Sequence, residues 1–116
     1  MRLLDTATLK LQDFSISTVP PYAILSHTWG LEEVTFQEET SPTRTAKKGW
    51  AKIAKTCELA SSAGLAYAWV DTCCIDKSSS AELSEAINSM YHWYLEVSPL
   101  CRRIISRWSY LVEVAL

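Results

Sequence analysis

Apolar and polar positions follow two different rhythms along this chain, and each rhythm predicts a different element. Tyr22-Ala23-Ile24-Leu25 and Leu65-Ala66-Tyr67-Ala68-Trp69-Val70 are compact apolar runs. A short unbroken apolar run reads as a strand buried on both faces, as in parallel sheets. Between them, from about Ala46 to Ala63, the residues Trp50, Ile53, Ala54, Cys57 and Ala60 recur at helical spacing, while the lysines and Glu58 fall largely elsewhere. That is the pattern of an amphipathic helix, and Gly64 stands where a left-handed C-terminal cap belongs. After Val70, a second helical stripe runs through Leu83, Ile87, Met90 and Tyr94, with Glu82, Glu85, Ser89 and His92 on another face. Ser79 and Glu82 have capping-box spacing ahead of it.

The remaining segments carry weaker patterns. Arg2–Leu4 and Leu9–Leu11 read as short extended pieces around the turn-prone Asp5-Thr6, and the alternation from Leu9 to Gln12 has the period of a half-buried strand. Pro20-Pro21 stops any regular element before the first apolar run. Val34-Thr35-Phe36 suggests one further extended piece, and Glu38–Thr45, with Pro42, reads as loop. The order strand, helix, strand, helix predicts an α/β domain with a parallel sheet.

Composition narrows the function classes. The 116 residues suit a single domain, and 48% hydrophobic with 21% charged is globular. A net charge of −2 argues against a general nucleic-acid binder, which needs a clustered basic surface. The local excess of Lys47, Lys48, Lys52 and Lys55 reads as the solvated face of the first long helix. The chain lacks a signal-peptide-like start and an apolar run long enough to span a membrane, which predicts a cytoplasmic protein whose cysteines stay reduced. Of those, Cys57, Cys73, Cys74 and Cys101, none are spaced C-x-x-C, and the only histidines are His27 and His92. A metal site is therefore not expected.

In open α/β sheets, ligands bind beyond the carboxyl ends of the strands. Two polar segments sit there: Ser26-His27-Thr28-Trp29-Gly30 after the first buried strand, and Asp71-Thr72-Cys73-Cys74-Ile75-Asp76-Lys77 after the second. As a shared pocket, they would offer the Ser26 and Thr28 hydroxyls, a stacking face on Trp29, and Asp71 and Asp76 as acceptors for ribose-like hydroxyls. As ordinary strand-end turns, they would leave Asp76 and Ser79 to start the next helix. Consecutive side chains on an extended segment point to opposite faces, so Ser26 and His27 do not make a hydrolytic pair with Asp71. Cys74 is either a nucleophile, favoured as thiolate by Lys77 and the helix start, or a small apolar residue lodged at the strand end. Without a glycine-rich phosphate loop, nucleotide fingerprints are excluded.

Two stretches go beyond pattern. Pro21-Tyr22-Ala23-Ile24-Leu25-Ser26-His27-Thr28-Trp29-Gly30 resembles the opening motif of fungal heterokaryon-incompatibility (HET) domains, a strand running into Ser-x-x-Trp-Gly. Tyr67 to Lys77, continuing through Glu82 to Met90, is similar to the family's second motif: an aromatic-rich strand, then Asp-x-x-Cys-Ile-Asp, then a helix carrying Glu and Met. Met1-Arg2-Leu3-Leu4-Asp5 and Lys47-Lys48-Gly49-Trp50 also suit the family. The resemblance covers about residues 1–94. It implies a HET-type signalling and interaction module acting in vegetative incompatibility and programmed cell death. Its partners would be proteins, through self-association or with other HET-type or sensor proteins.

The resemblance also implies a fold. HET domains are remotely similar to Toll/interleukin-receptor-type (TIR) domains, so a parallel-sheet, flavodoxin-like, three-layer arrangement is expected, incomplete in this chain. Some TIR domains cleave NAD with a glutamate. An NAD glycohydrolase is accordingly the alternative function, with NAD as substrate and Glu82 and Glu85 as the available carboxylates. The family's third motif, ending Arg-Gly-Trp-Thr-Leu-Gln-Glu-Leu, does not follow here. Residues 95–116 are expected to be a divergent tail in which Ile104, Trp108, Leu111 and Ala115 form a short amphipathic helix. A sheet lacking its later strands would leave an edge open to pairing with another chain, so the chain is expected to self-associate.

Overall fold

The computed structural model describes residues 1–26, 30, 32–95, 102–105 and 111–115, without the side chains of Ile16, Ser26 and residues 89 onward. It is a small α/β domain with a mixed sheet and two helices. Strand β1 (Arg2–Asp5) and β2 (Leu11–Asp13) form an antiparallel pair. Leu9 lies in the turn between them rather than in the strand. It adopts a positive φ of 57°, while the Asp5 carboxylate accepts the Ala7 and Thr8 amides at 2.8 and 3.1 Å. An aspartate that caps its own turn in this way competes with continued extension.

Both compact apolar runs form strands, β3 (Tyr22–Ser26) and β4 (Tyr67–Trp69), which lie parallel with Ala23 opposite Ala68 and Ile24 opposite Trp69. The connection between them is helix α1 (Trp50–Ser62), and after β4 comes α2 (Ser80–Leu95). The helix expected from Ala46 starts later because Pro42–Ala46 forms a 3-10 turn instead. Val34 and Phe36 likewise form no strand. Val34 is fully buried, and Phe36–Glu38 is a 3-10 turn. Ile53, Thr56, Cys57 and Ala60 are the buried face of α1. Thr56 is accommodated there by donating its hydroxyl to the Lys52 carbonyl at 2.7 Å. Gly64 takes φ +82°, the left-handed cap that ends the helix.

The expected parallel sheet is realised only as the β3–β4 pair. The full order is β2-β1-β4-β3-β6-β5, and every other neighbouring pair is antiparallel. The last two strands, β5 (Arg102–Ile105) and β6 (Leu111–Ala115), occupy the tail where an amphipathic helix was expected. The β-branched content of Ile104, Ile105, Val112 and Val114 suits extended backbone better than a helix. β6 also gains hydrogen-bonding partners along β3, from Tyr22↔Ala115 to Ser26↔Leu111. β6 therefore covers the edge of β3, and among the described residues β2 and β5 are the outer strands.

The core joins Leu3 and Leu4 of β1, Ala23 to Leu25 of β3, Ile53, Cys57 and Ala60 of α1, and Ala68 to Val70 at β4. Leu83 and Ala86 of α2 pack against it, but Ile87 is 57% exposed, so the stripe of α2 runs one residue off the Leu83–Ile87 line.

Candidate functional site

Parallel pairing of β3 and β4 brings their carboxyl ends to one edge of the sheet, so the backbone of Ser26 and the Asp71–Lys77 loop share a rim. Arg2, at the start of antiparallel β1, reaches the same edge. His27, Thr28 and Trp29 lie outside the described residues. Gly30 donates its amide to Glu33 Oε1 at 2.8 Å. Lys77 Nζ reaches back to the Asp71 carbonyl at 2.9 Å, and desolvation holds its ammonium below the ordinary lysine range, against the opposing pull of Asp71.

Asp76 and Ser79 build the start of α2. Asp76 Oδ1 accepts from the Ser78 hydroxyl at 2.5 Å, from the Ser78 amide at 3.1 Å and from Gln37 Nε2 at 3.1 Å. The Ser78 hydrogen bonds, above all, hold the Asp76 carboxyl below the usual range. Ser79 Oγ accepts the Glu82 amide at 3.3 Å, which is half of the predicted capping box. The other half is replaced. The Glu82 carboxylate accepts the Asp76 amide at 3.1 Å and pairs with Arg2 Nη1. Arg2 is thereby raised above its ordinary value, first by the hydrogen bond to Glu82. It also meets Asp13 at 3.2 Å and lies with Cζ 4.5 Å from the Phe36 ring centroid.

Under this ion-pair cluster is a cleft of about 310 Å³ whose walls include Arg2, Asp13, Trp69, Glu82, Glu85 and Ala86. It lies beside β1 and the first turns of α2. Of the residues singled out from sequence, Cys74, Glu82 and Glu85 line it, while Asp71 and Asp76 do not. Cys74 is 2% exposed, and its sulfur accepts the Val70 amide at 3.4 Å. That environment is one of packing, without the exposure a nucleophile needs.

The family described as "Heterokaryon incompatibility protein (HET)" matches residues 22–99, which takes in β3, α1, β4 and α2 with both rim segments. The chain belongs to the HET family. It is also 47% identical over 104 residues to the "Vegetative incompatibility protein HET-E-1" of Podospora anserina, covering 84% of this chain. The match spans only 8% of that protein's length. No solved structure gives a significant match.

In this HET domain, residues missed by sequence reasoning hold the motif segments in place. Glu33 and Glu39 are acidic yet buried, 8% and 1% exposed. Glu33 takes Lys52 Nζ at 2.6 Å as well as the Gly30 amide, so it ties α1 to the end of the first HET motif. Lys47 pairs with Glu38, and Lys55 with Glu58 at 3.2 Å, so the lysines read as a solvated face are largely engaged. The signal available was the succession of Glu32, Glu33, Glu38 and Glu39 ahead of a lysine-rich helix. Pattern alone assigns such charges to solvent.

The thiols give a direct check on this packing. Burial pushes Cys57 up to about 12, and the hydrogen bond to Cys74, with burial next, sets Cys73 well above the ordinary thiol range. In the native chain at pH 8, iodoacetamide is expected to leave both unlabelled, with rapid modification after denaturation. Peptide mass spectrometry showing native labelling of Cys57 or Cys73 within minutes would contradict the buried arrangement.

Proposed function

We propose that this chain is the signalling and interaction module of a HET-type protein in fungal vegetative incompatibility and cell death. The carrying observation is the 47% identity with HET-E-1 over 104 residues, which includes the rim-forming segments. The parallel β3–β4 pair with its helical crossover supports a flavodoxin-like, TIR-like relationship in a three-layer arrangement, with the HET module proper in residues 1–94. Ser26, His27, Trp29, Gly30, Asp71, Cys74 and Asp76 are the motif residues of its interaction site. Protein partners are the expected ligands, whether further copies of the module or sensor proteins, in the cytoplasm. No helix among the described residues is long and apolar enough to cross a membrane.

The geometry favours this reading over NAD cleavage. Stabilising an oxocarbenium-like centre needs a positioned carboxylate in a water-excluded site. Glu82 is committed to Arg2 and the Asp76 amide, and Glu85 is exposed on α2. Exchanging the matching segment of HET-E-1 for this chain tests the proposal. The chimera is expected to retain incompatibility-triggered death in hyphal fusions. A chimera that accumulates normally but triggers no death would reject the assignment.

A further inference from the structure

The cleft beside α2 has a chemistry that HET membership does not explain. Its inner walls are apolar or nearly so: Trp69 is 3% exposed, Ile75 5%, and Ala86 packs on the core. Its charged lining is one guanidinium, Arg2, against three carboxylates, Asp13, Glu82 and Glu85. Arg2 is spent on Asp13 and Glu82, and the Met1 ammonium donates to the Phe14 carbonyl at 2.9 Å. Glu85, exposed at the lip, has no hydrogen bond or ion pair among the described residues.

We propose that this cleft receives a single basic side chain, arginine or lysine, presented by a protein partner. A long cationic side chain matches both parts of the cavity, with its aliphatic stem against Trp69, Ile75 and Ala86 and its charged head at Glu85. An anionic ligand is opposed by the excess of carboxylate, so a phosphate-bearing nucleotide does not fit this cleft. The volume of about 310 Å³ lies at the lower end of small-molecule pockets and accommodates one side chain. A polypeptide carrier follows from the interaction-module reading, in which the ligands are proteins. The inference deepens the interaction-module reading and rests on it.

The test titrates the full chain with a capped Gly-Leu-Arg-Leu-Gly peptide and with versions carrying lysine, norleucine or glutamate at the centre. The assigned Trp69 indole is followed by NMR. Arginine and lysine peptides are expected to give saturable shifts, norleucine and glutamate peptides none. Glu85→Lys, a change at an exposed position, should weaken binding about 10-fold or more by placing like charges together. Unchanged thermal denaturation of that variant shows that its fold is kept. Equal response to the glutamate peptide, no response to arginine at millimolar concentration, or an unaffected Glu85→Lys variant each overturns the proposal. Binding of spermidine as tight as the arginine peptide also overturns it, in favour of a free polyamine. A HET-E-1 chimera that still triggers death while the cleft binds no peptide rejects this inference alone. A silent chimera whose cleft binds the peptide rejects the incompatibility role instead.

Discussion

Gly49→Ala is expected to destabilise the domain by about 2–4 kcal/mol, from overpacking together with a weakened backbone hydrogen bond. Gly49 has ordinary helical angles, φ −65° and ψ −20°, so alanine brings no backbone strain there. The penalty is one of space. A Cβ on Gly49 would lie 2.6 Å from the Glu32 carbonyl oxygen and 2.8 Å from Glu33 Cα, and both are backbone atoms that cannot swing away. The same approach carries the hydrogen bond from the Gly49 amide to Glu32 at 2.7 Å, which docks the start of α1 onto the 32–34 segment. The other two glycines set the scale. Gly64→Ala meets open space but must hold φ +82°, costing about 1–2 kcal/mol. At Gly30, the added Cβ finds only ordinary contacts, 3.4 Å to Glu33 Oε1 and 3.9 Å to Lys52 Nζ, so stability should barely change. Urea denaturation of the three variants should rank them Gly49, Gly64, Gly30 from most to least damaging. A Gly49→Ala protein as stable as wild type would mean that α1 does not dock as described. Because Gly30→Ala spares the fold, any loss of triggered death it causes in the HET-E-1 chimera reports on the motif itself.

The elements with strong periods were legible in the sequence. β3, β4, α1 and α2 each carry a continuous apolar run or a helical stripe, and the carboxyl ends of β3 and β4 lie at one rim because these strands are parallel. Pairing partners were not legible. Nothing local in Arg2–Asp5 says that it lies antiparallel beside β4, and nothing in Leu111–Ala115 says that it covers the edge of β3. Those choices depend on which sheet edge remains unpaired once the core has formed, a long-range property. The tail misled for a related reason. Ile104, Trp108, Leu111 and Ala115 fit a helical spacing, yet their β-branched neighbours find hydrogen bonds in the sheet. Burial of Glu33 and Glu39 was invisible because a carboxylate is buried only when a particular cation meets it, and that meeting is tertiary.

The Glu39–Arg44 pair yields the other large effect. Glu39 is 1% exposed, and Arg44 Nη1 pairs with its carboxylate. The same nitrogen donates to the Leu9 and Glu39 carbonyls at 2.9 and 2.7 Å, while Arg44 Cζ sits 4.4 Å from the Trp50 ring centroid. One side chain thus joins the β1–β2 turn, the 3-10 segment and the first residue of α1. Arg44→Met removes the cation and leaves a buried carboxylate unpaired, which costs about 3–5 kcal/mol, a large share of the roughly 5–15 kcal/mol that holds a domain together. If that uncompensated charge is the cause, adding Glu39→Leu should restore at least half the loss, since replacing both members of a buried pair is far less damaging than removing one. The pH dependence fixes the sign independently. Desolvation raises the Glu39 carboxyl above its ordinary 4.5 despite the opposing influence of Arg44, so the folded state favours the protonated form. Stability from that preference is fully present below the unfolded value and is lost as pH rises through the folded one. Without Arg44 the folded value climbs further, so the gap between Arg44→Met and wild type should narrow as pH falls from 7.5 toward 5. A gap that stays constant, or a double variant no better than Arg44→Met, would assign the loss to the Leu9, Glu39 and Trp50 contacts of Arg44 rather than to a stranded charge.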